Sequence, residues 1–432
     1  MMSLLNNYCK YKKAIHSAFF RLTSVSTGLV ASRLMMLITS VLVARNTGVE
    51  DFGEFTLFIT FFLIAADVSN SIDNTFIRFA NKHSKCKSDE YVYLGTAVYA
   101  KLIYASVLTL FVVMASTLVK GFVDDVGHIT DVMVWGVGAG VIYSVFLTLA
   151  AKYQKDKIFI IVSVLRATLN ALVLISVVIA LIFFNGVDVS DMVSIYIWVS
   201  ISLSVMAIYK LTVENKIQWA ESYKKISEFY KVAIVIMMSS ALTVISSRFD
   251  VFFIGAMLDI ESVGYYSVAV RMGLVVAILS SASLIILIPN AASAMTSVDK
   301  WWKYIYMASF YLLIQFVMAV VVLVYHKEAI VYLFGEQYIK ASSVTVIMVL
   351  VAMVTSASVP FRALIQHGPK PGDLIWIATV KFISGLVLLF YFINAFGMIG
   401  ASYAMLVVAL LISFFMCWLA FKRCMPTKTA VN

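Results

Sequence analysis

Apolar stretches of about 20 residues recur from one end of this chain to the other, and this limits the possible folds more than any other feature. A helix of that length rises about 30 Å, the thickness of a bilayer's hydrocarbon core. Inside lipid, every backbone N–H and C=O must be paired within the protein, which an apolar helix does by itself. Twelve spans are expected, at roughly 22–43, 53–77, 92–118, 132–151, 158–183, 191–209, 232–256, 263–287, 304–325, 341–365, 373–393 and 398–420. Barrel strands need only about 10 residues and do not fit these lengths. Only 13% of the 432 residues are charged, about half the share in a soluble protein. The fold class is therefore an all-α polytopic membrane protein with 12 transmembrane helices, and no gap between spans holds a soluble domain.

The net charge of +10 invites a nucleic-acid partner, but its placement argues against one. Lys and Arg cluster on alternate loops: Lys10, Lys12, Lys13 and Arg21; then Arg78, Lys82, Lys85 and Lys87; then Lys152, Lys155 and Lys157; and so on to Lys422, Arg423 and Lys428. The opposite face has only Arg45, Lys120, Lys327 and Lys340. By the positive-inside rule both termini are expected in the cytoplasm. The four cysteines, Cys9, Cys86, Cys417 and Cys424, fall at or near that reducing side and show no disulfide or metal spacing. The first apolar segment has a basic lead without a small-residue cleavage site, so it is expected to be a retained helix. Trp135, Trp301, Trp302, Trp376 and Trp418 sit near span ends, as an interfacial aromatic belt should.

An internal repeat divides the chain. Val49-Glu50-Asp51-Phe52-Gly53-Glu54-Phe55-Thr56 recurs as Ile260-Glu261-Ser262-Val263-Gly264-Tyr265-Tyr266-Ser267, each copy joining the first and second spans of a six-helix half. Six spans is an even number, so the halves point the same way, as parallel repeats around a central cavity. The expected division is an N-terminal bundle over 1–209, a cytoplasmic linker over 210–231 and a C-terminal bundle over 232–432. The linker's Ile217, Trp219, Tyr223, Ile226 and Tyr230 suit either an amphipathic helix on the inner leaflet or plain linker.

Charge within the spans is the main chemical clue. Six basic residues fall there, Arg33, Lys101, Arg166, Arg248, Arg271 and Lys381, against the acids Asp67, Asp73 and Asp250. A charge near the bilayer centre costs roughly 2.5–3.5 kcal/mol on the insertion scale unless it meets a partner or a wet cavity. An excess of buried cations suits a cavity for an anionic passenger. Arg grips phosphate oxygens in pairs, while Lys acts as a point charge. The bland alternatives are that Lys101 and Lys381 snorkel to the interface and that Arg271 anchors one half to the other. Arg33 and Arg166 are the strongest cavity candidates. Arg248 and Asp250 are i,i+2 and point apart on a helix, so each needs its own partner.

Asp67 is the deepest acid. It suits either ion coupling or a structural pair with Arg33, and Asp250 is placed in the same class; Asp73 and Asn74 read as interfacial. Pro360 interrupts the tenth span and Pro289 closes the eighth, as bends or hinges. Gly136, Gly138 and Gly140 suit close helix packing. No Gly-rich phosphate loop, zinc motif or nucleophile elbow is present, and the outer loops are too short to hold catalytic acids. The reading is a transporter, with no enzyme activity, no cofactor and no metal; a proton or sodium gradient is the candidate driving force.

Three segments carry a resemblance. Leu42-Val43-Ala44-Arg45-Asn46-Thr47-Gly48-Val49-Glu50-Asp51-Phe52-Gly53-Glu54-Phe55 resembles the first-loop signature of O-antigen-type polysaccharide flippases. Arg248-Phe249-Asp250-Val251-Phe252-Phe253-Ile254-Gly255, running on to Val263-Gly264-Tyr265-Tyr266-Ser267-Val268-Ala269-Val270-Arg271, is similar to their seventh and eighth spans. Leu333-Phe334-Gly335-Glu336-Gln337-Tyr338, with Ala341, resembles their loop before the tenth. The chain departs from the pattern at Asn46-Thr47 and at Phe249. The resemblance covers nearly the whole length and implies the multidrug/oligosaccharidyl-lipid/polysaccharide exporter fold, two six-helix bundles alternating between inward-open and outward-open. It further implies an undecaprenyl-pyrophosphate-linked oligosaccharide as passenger, the bacterial inner membrane as location, and an O-antigen polymerase and chain-length regulator as candidate partners. Two alternatives stand beside it: an ion-coupled multidrug antiporter of the same fold, whose cationic drugs would favour buried carboxylates, and a membrane glycan polymerase or glycosyltransferase.

Overall fold

A computed structural model describes residues 28, 30–83, 87–122, 127–183, 188–215, 217, 219–224, 226–368 and 372–425. Fourteen α-helices and one short 3-10 helix follow one another: α1 (30–46), α2 (Val49–His83), α3 (Lys87–Phe122), α4 (Gly127–Lys155), α5 (Phe159–Phe183), α6 (Val189–Asn215), α7 (Trp219–Lys224), α8 (Ile226–Ser246), α9 (Phe249–Met257), α10 (Ile260–Ala294), α11 (Val298–Val324), α12 (His326–Phe334), the 3-10 turn Glu336–Ala341, α13 (Ser342–His367) and α14 (Asp373–Cys424). Among the described residues, ten helices are long and apolar enough to span a bilayer. The 52-residue α14 is two spans meeting at Gly397, whose φ of 61° is left-handed backbone that glycine accepts at little cost. With α1 the passes number twelve among the described residues, as the hydropathy implied. The cysteines Cys9 and Cys86 and the basic residues up to Arg21 lie outside the described residues.

Helices α2–α6 pack mainly against one another, as do α9–α14, giving the two bundles, and α8 lies at their junction against α2 and α14. Inside the first bundle, α4 lies against α2 at Gly136 and Gly140, where an added Cβ would come within 2.7 Å of Phe58 O and 2.3 Å of Phe62 O. Glycine alone allows this approach, and it brings the α4 backbone onto an aromatic core of Phe58, Phe62, Tyr143 and Tyr196. Gly138 has open space around it.

Three local expectations need correction. The seventh span is not continuous: it breaks at Ser247–Arg248, between α8 and α9, with no Gly or Pro in place. Helix α10 runs through Pro289 to Ala294, so that proline does not end the span. Helix α13 likewise continues past Pro360, whose carbonyl accepts a 2.9 Å hydrogen bond from Tyr304. In the linker, α7 docks on the first bundle: Ser222 donates to Val92 O at 2.8 Å, Trp219 and Tyr223 meet the Tyr99 ring, and Gly95 leaves room for Ser222.

The bundles meet along α2. At one end the two copies of the sequence repeat lie on each other: a Cβ on Gly53 would come 2.1 Å from Ile260 O, and one on Gly264 would come 2.2 Å from Val49 O. The seam then runs along the antiparallel α9 and α8 through Leu57 opposite Gly255, Phe61 against Phe252, Asp67 beside Arg248 and Phe79 against Phe229. The Gly53–Gly264 end is called the sealed end here, and the end with the Lys- and Arg-rich loops the basic end.

Candidate functional site

The sealed end is closed by several independent contacts. Gln337 donates to Ala44 O and Thr47 O at 3.1 and 3.2 Å, and the Tyr338 hydroxyl donates to Ala44 O at 3.2 Å. The 333–338 motif thus caps the end of α1, where backbone carbonyls lack helical partners. Arg271 is buried at this seam: it donates to Ser267 O at 3.0 Å, approaches Thr56 Oγ1 at 3.4 Å and stacks 4.6 Å from the Phe52 ring centroid. It is the anchor between bundles, not a cation open to a cavity, which corrects its place among the substrate-binding candidates.

Toward the basic end the interior becomes polar. On α2, Asp67, Asn70 and Asn74 repeat at helical spacing and share one face with Ile77. Arg248 sits at the α8–α9 break, and its guanidinium reaches across the seam to 3.6 Å from Asp67. Asp67 therefore pairs with Arg248 and not with Arg33. Breaking the seventh span lets Arg248 turn toward the neighbouring bundle, and broken helices at membrane depth occur where they line a cavity. Arg248 Nε is buried and completes no hydrogen bond among the described residues. Asp67 also lines an interbundle cavity of about 270 Å³ with Ser239, Ser240 and Thr243 of α8.

Deeper in the first bundle, a second cavity of about 240 Å³ is lined by Asn70, Asp73, Asn74, Gln154 and Arg166, with Ile77, Leu147, Ala150 and Ala151. Arg166 donates to Gln154 Oε1 at 3.2 Å and stands within electrostatic reach of both Asp67 and Asp73. Helix α1 joins here: Ser32 donates to Arg166 O at 3.4 Å, and Asn170 donates to Ser32 Oγ at 2.8 Å. Arg33, next to Ser32, is exposed.

Lys101 is fully buried and donates to Asp73 Oδ2 at 2.7 Å and to the Ser144 carbonyl. It neither snorkels nor faces the cavity; Asp73 is not interfacial but its buried counter-ion. Removing one partner of such a pair leaves an uncompensated charge and typically costs ~3–5 kcal/mol. Together these residues form a row of alternating charge, Arg248, Asp67, Arg166, Asp73 and Lys101, with cations in excess by one.

Asp250 and Arg248 do have separate partners. Asp250 is buried and accepts a 2.7 Å hydrogen bond from Tyr266. Lys381 is half-buried and feels both Asp250 and Arg362. The sequence reading missed Asn70, Gln154, Ser32 and Asn170. The first of these was legible, three residues from Asp67 on the same helix face; the others come together only through tertiary packing. Among the described residues, no group of His, Cys, Asp and Glu is arranged to hold a metal ion.

Comparison with known proteins fits this architecture. The model of a family described as polysaccharide biosynthesis protein matches residues 22–295. No curated protein sequence matches the chain. Among solved structures, the lipid II flippase MurJ in an inward closed conformation is 13% identical, with 91% of this chain and 86% of that chain covered and a TM-score of 0.72. The MATE transporter VcmN of Vibrio cholerae is 14% identical, with 94% and 97% covered and a TM-score of 0.64. The eukaryotic MATE transporter AtDTX14 is 12% identical, with 94% and 96% covered and a TM-score of 0.63. These structures share the two-repeat helical transporter fold, and the family match spans well over half the sequence: the chain is a multi-pass membrane protein that belongs to the polysaccharide biosynthesis protein family.

Proposed function

We propose that this protein flips an undecaprenyl-pyrophosphate-linked O-antigen or related polysaccharide repeat unit from the cytoplasmic to the periplasmic leaflet of the bacterial inner membrane. The observation that carries this reading is the cation-rich polar row beside a seam sealed at the opposite end. With the basic loops in the cytoplasm, the protein receives cargo from the side where that cargo is assembled. Exposed Arg33 and Arg362 on that half attract the pyrophosphate, and Arg166 and Arg248 receive it deeper in. The polyprenyl tail stays in lipid while the glycan occupies the polar interior. Rocking of the bundles parts the Gly53–Gly264 seam and releases the headgroup outward. A proton or sodium gradient is the proposed source of net direction. The work is transport, and no bond in the cargo is made or broken.

A cellular accumulation assay tests this. In a strain lacking the gene, a restored copy carrying Arg166→Ala, alone or with Arg33→Ala, is expected to lose surface glycan and to accumulate lipid-linked oligosaccharide in the inner leaflet at normal protein abundance. Arg166→Lys is expected to rescue partly, because charge returns without the planar fork. Unchanged glycan export after deletion, in a strain with no second carrier, sinks the flippase reading and favours the multidrug antiporter. Glycan synthesis by purified protein favours the polymerase reading.

A further inference from the structure

The roughly 240 Å³ cavity inside the first bundle poses a separate chemical question. Three side-chain amides, Asn70, Asn74 and Gln154, converge there with Arg166 and Asp73. Asp73 is 5% exposed, and while Oδ2 is held by Lys101, Oδ1 completes no hydrogen bond among the described residues. Thr148, also buried, stands within side-chain hydrogen-bond reach of Asp73, and a carboxylate oxygen has room for a second donor. Buried polar atoms of this kind are costly unless something pairs with them.

The charge of the lining decides what that partner is. Asp67 is paired with Arg248 and also lies within reach of Arg166, and Asp73 is paired with Lys101, so across the row the balance is already positive by one. A sodium ion added to the cavity meets Arg166 and a single lining carboxylate, Asp73, that is already ion-paired. Asn70 already reaches Asp67 and Arg166 donates to Gln154, but an apolar guest would leave the Asn74 amide and the remaining donors and acceptors of the lining without partners. A polyhydroxylated ring matches the set: amides donate and accept at once, Arg166 donates, and Asp73 Oδ1 accepts from a hydroxyl. The volume suits one sugar ring, with Ile77 and Leu147 offering apolar surface beside it. Arg166 is common to this cavity and to the charge row, so a sugar here lies next to an anionic group held by that row.

We infer that this cavity is a monosaccharide subsite that grips the first sugar of the cargo, the one attached to the pyrophosphate. The inference rests on the flippase reading and adds a specificity element to it. Arg166 holds both sugar and pyrophosphate, Gln154 meets the sugar and steadies Arg166, and Asn74 recognises the sugar alone.

The test uses the full-length protein in lipid nanodiscs and two families of probe: a short polyprenyl pyrophosphate, and the same lipid pyrophosphate carrying one hexose, N-acetylhexosamine or hexuronate. Equilibrium binding is measured for the unaltered protein and for Asn74→Ala and Asn74→Leu. The expected result is that at least one glycosylated probe binds about tenfold more tightly than the bare pyrophosphate, a gain the size of one or two net hydrogen bonds. Each variant is expected to lose most of that gain while binding the bare pyrophosphate as before. If the bare probe binds and no sugar improves it, or if the variants weaken both probes equally, the subsite is overturned and the flippase reading stands. If neither probe binds the unaltered protein, both fall. A variant that misfolds loses the bare-probe binding too; where Asn74→Ala does so, the uncharged and nearly isosteric Asn74→Leu is the measured variant with the same expectation.

Discussion

The two ends of the bundle interface are built from different materials. At the sealed end, backbone meets backbone at Gly53 and Gly264, Phe52 and Tyr338 fill the space, and Arg271 is buried with its partners close by. Toward the basic end the same helix α2 offers Asp67, Asn70 and Asn74, and the pair across the interface, Asp67 with Arg248, is 3.6 Å apart and partly solvated. The sealed end is held by packing that either fits or does not. The middle is held by a weak charge pair that another anion can displace. A transporter that must open on demand needs both: a tight closure that behaves as two discrete states, and a loose contact that the cargo can replace.

The largest expected effect comes from breaking the tight side. Gly264→Val places a branched side chain against Val49 O, where even a Cβ lies 2.2 Å away, so the seam cannot close. Cysteine accessibility at the seam is expected to rise to that of an outward-open state and glycan export to fall to background. Normal export with this variant would show that closure is not required.

Next comes the interior pair. Lys101→Ala leaves the buried Asp73 without its counter-ion and is expected to cost ~3–5 kcal/mol of stability, read as a large drop in thermal unfolding temperature in detergent. The double variant Lys101→Met with Asp73→Leu is expected to recover most of it, because no unpaired charge is left. Failure of the double variant to recover would mean that the stranded charge is not the cause of the loss.

Arg166→Ala removes a charge-assisted contact of about 1.5–3 kcal/mol and is expected to weaken binding of a bare polyprenyl pyrophosphate roughly ten- to hundredfold. The smallest effect on stability is expected from Asp67→Asn. The pair is partly exposed, so its loss costs about 1 kcal/mol or less, yet the bundles are expected to part more readily without cargo. Unaltered cysteine accessibility in this variant would remove the pair from the opening step.

Much of the fold was legible because bilayer physics is strict. Span count, the alternation of basic loops and the repeat around Gly53 and Gly264 all follow from length, charge and position. The meeting of the two glycines was less so; nothing local says that one copy of a repeat lies on the other. Arg248 shows where local reading fails. Ser246 and Ser247 donate back to Leu242 O and Val244 O, which loosens a helix, and the seventh span breaks there, where Arg248 meets a partner on the other bundle. Lys101 shows the opposite failure: its sequence depth matches that of Arg166, but one is sealed against Asp73 and the other lines a cavity. Depth along a helix is readable from sequence, whereas the direction a side chain faces depends on its neighbours.

The central claim is that cargo held by the charge row opens a seam that packing otherwise keeps shut. Its most direct test is a distance measurement between spin labels at Asn46→Cys and Glu336→Cys, exposed positions on opposite bundles at the sealed end, in a protein whose four cysteines have been replaced. The account predicts a short distance alone, a longer population when polyprenyl-pyrophosphate-linked saccharide is added, and no such population with Arg166→Ala. A distance that does not respond to cargo, in a preparation that translocates it, would contradict the account.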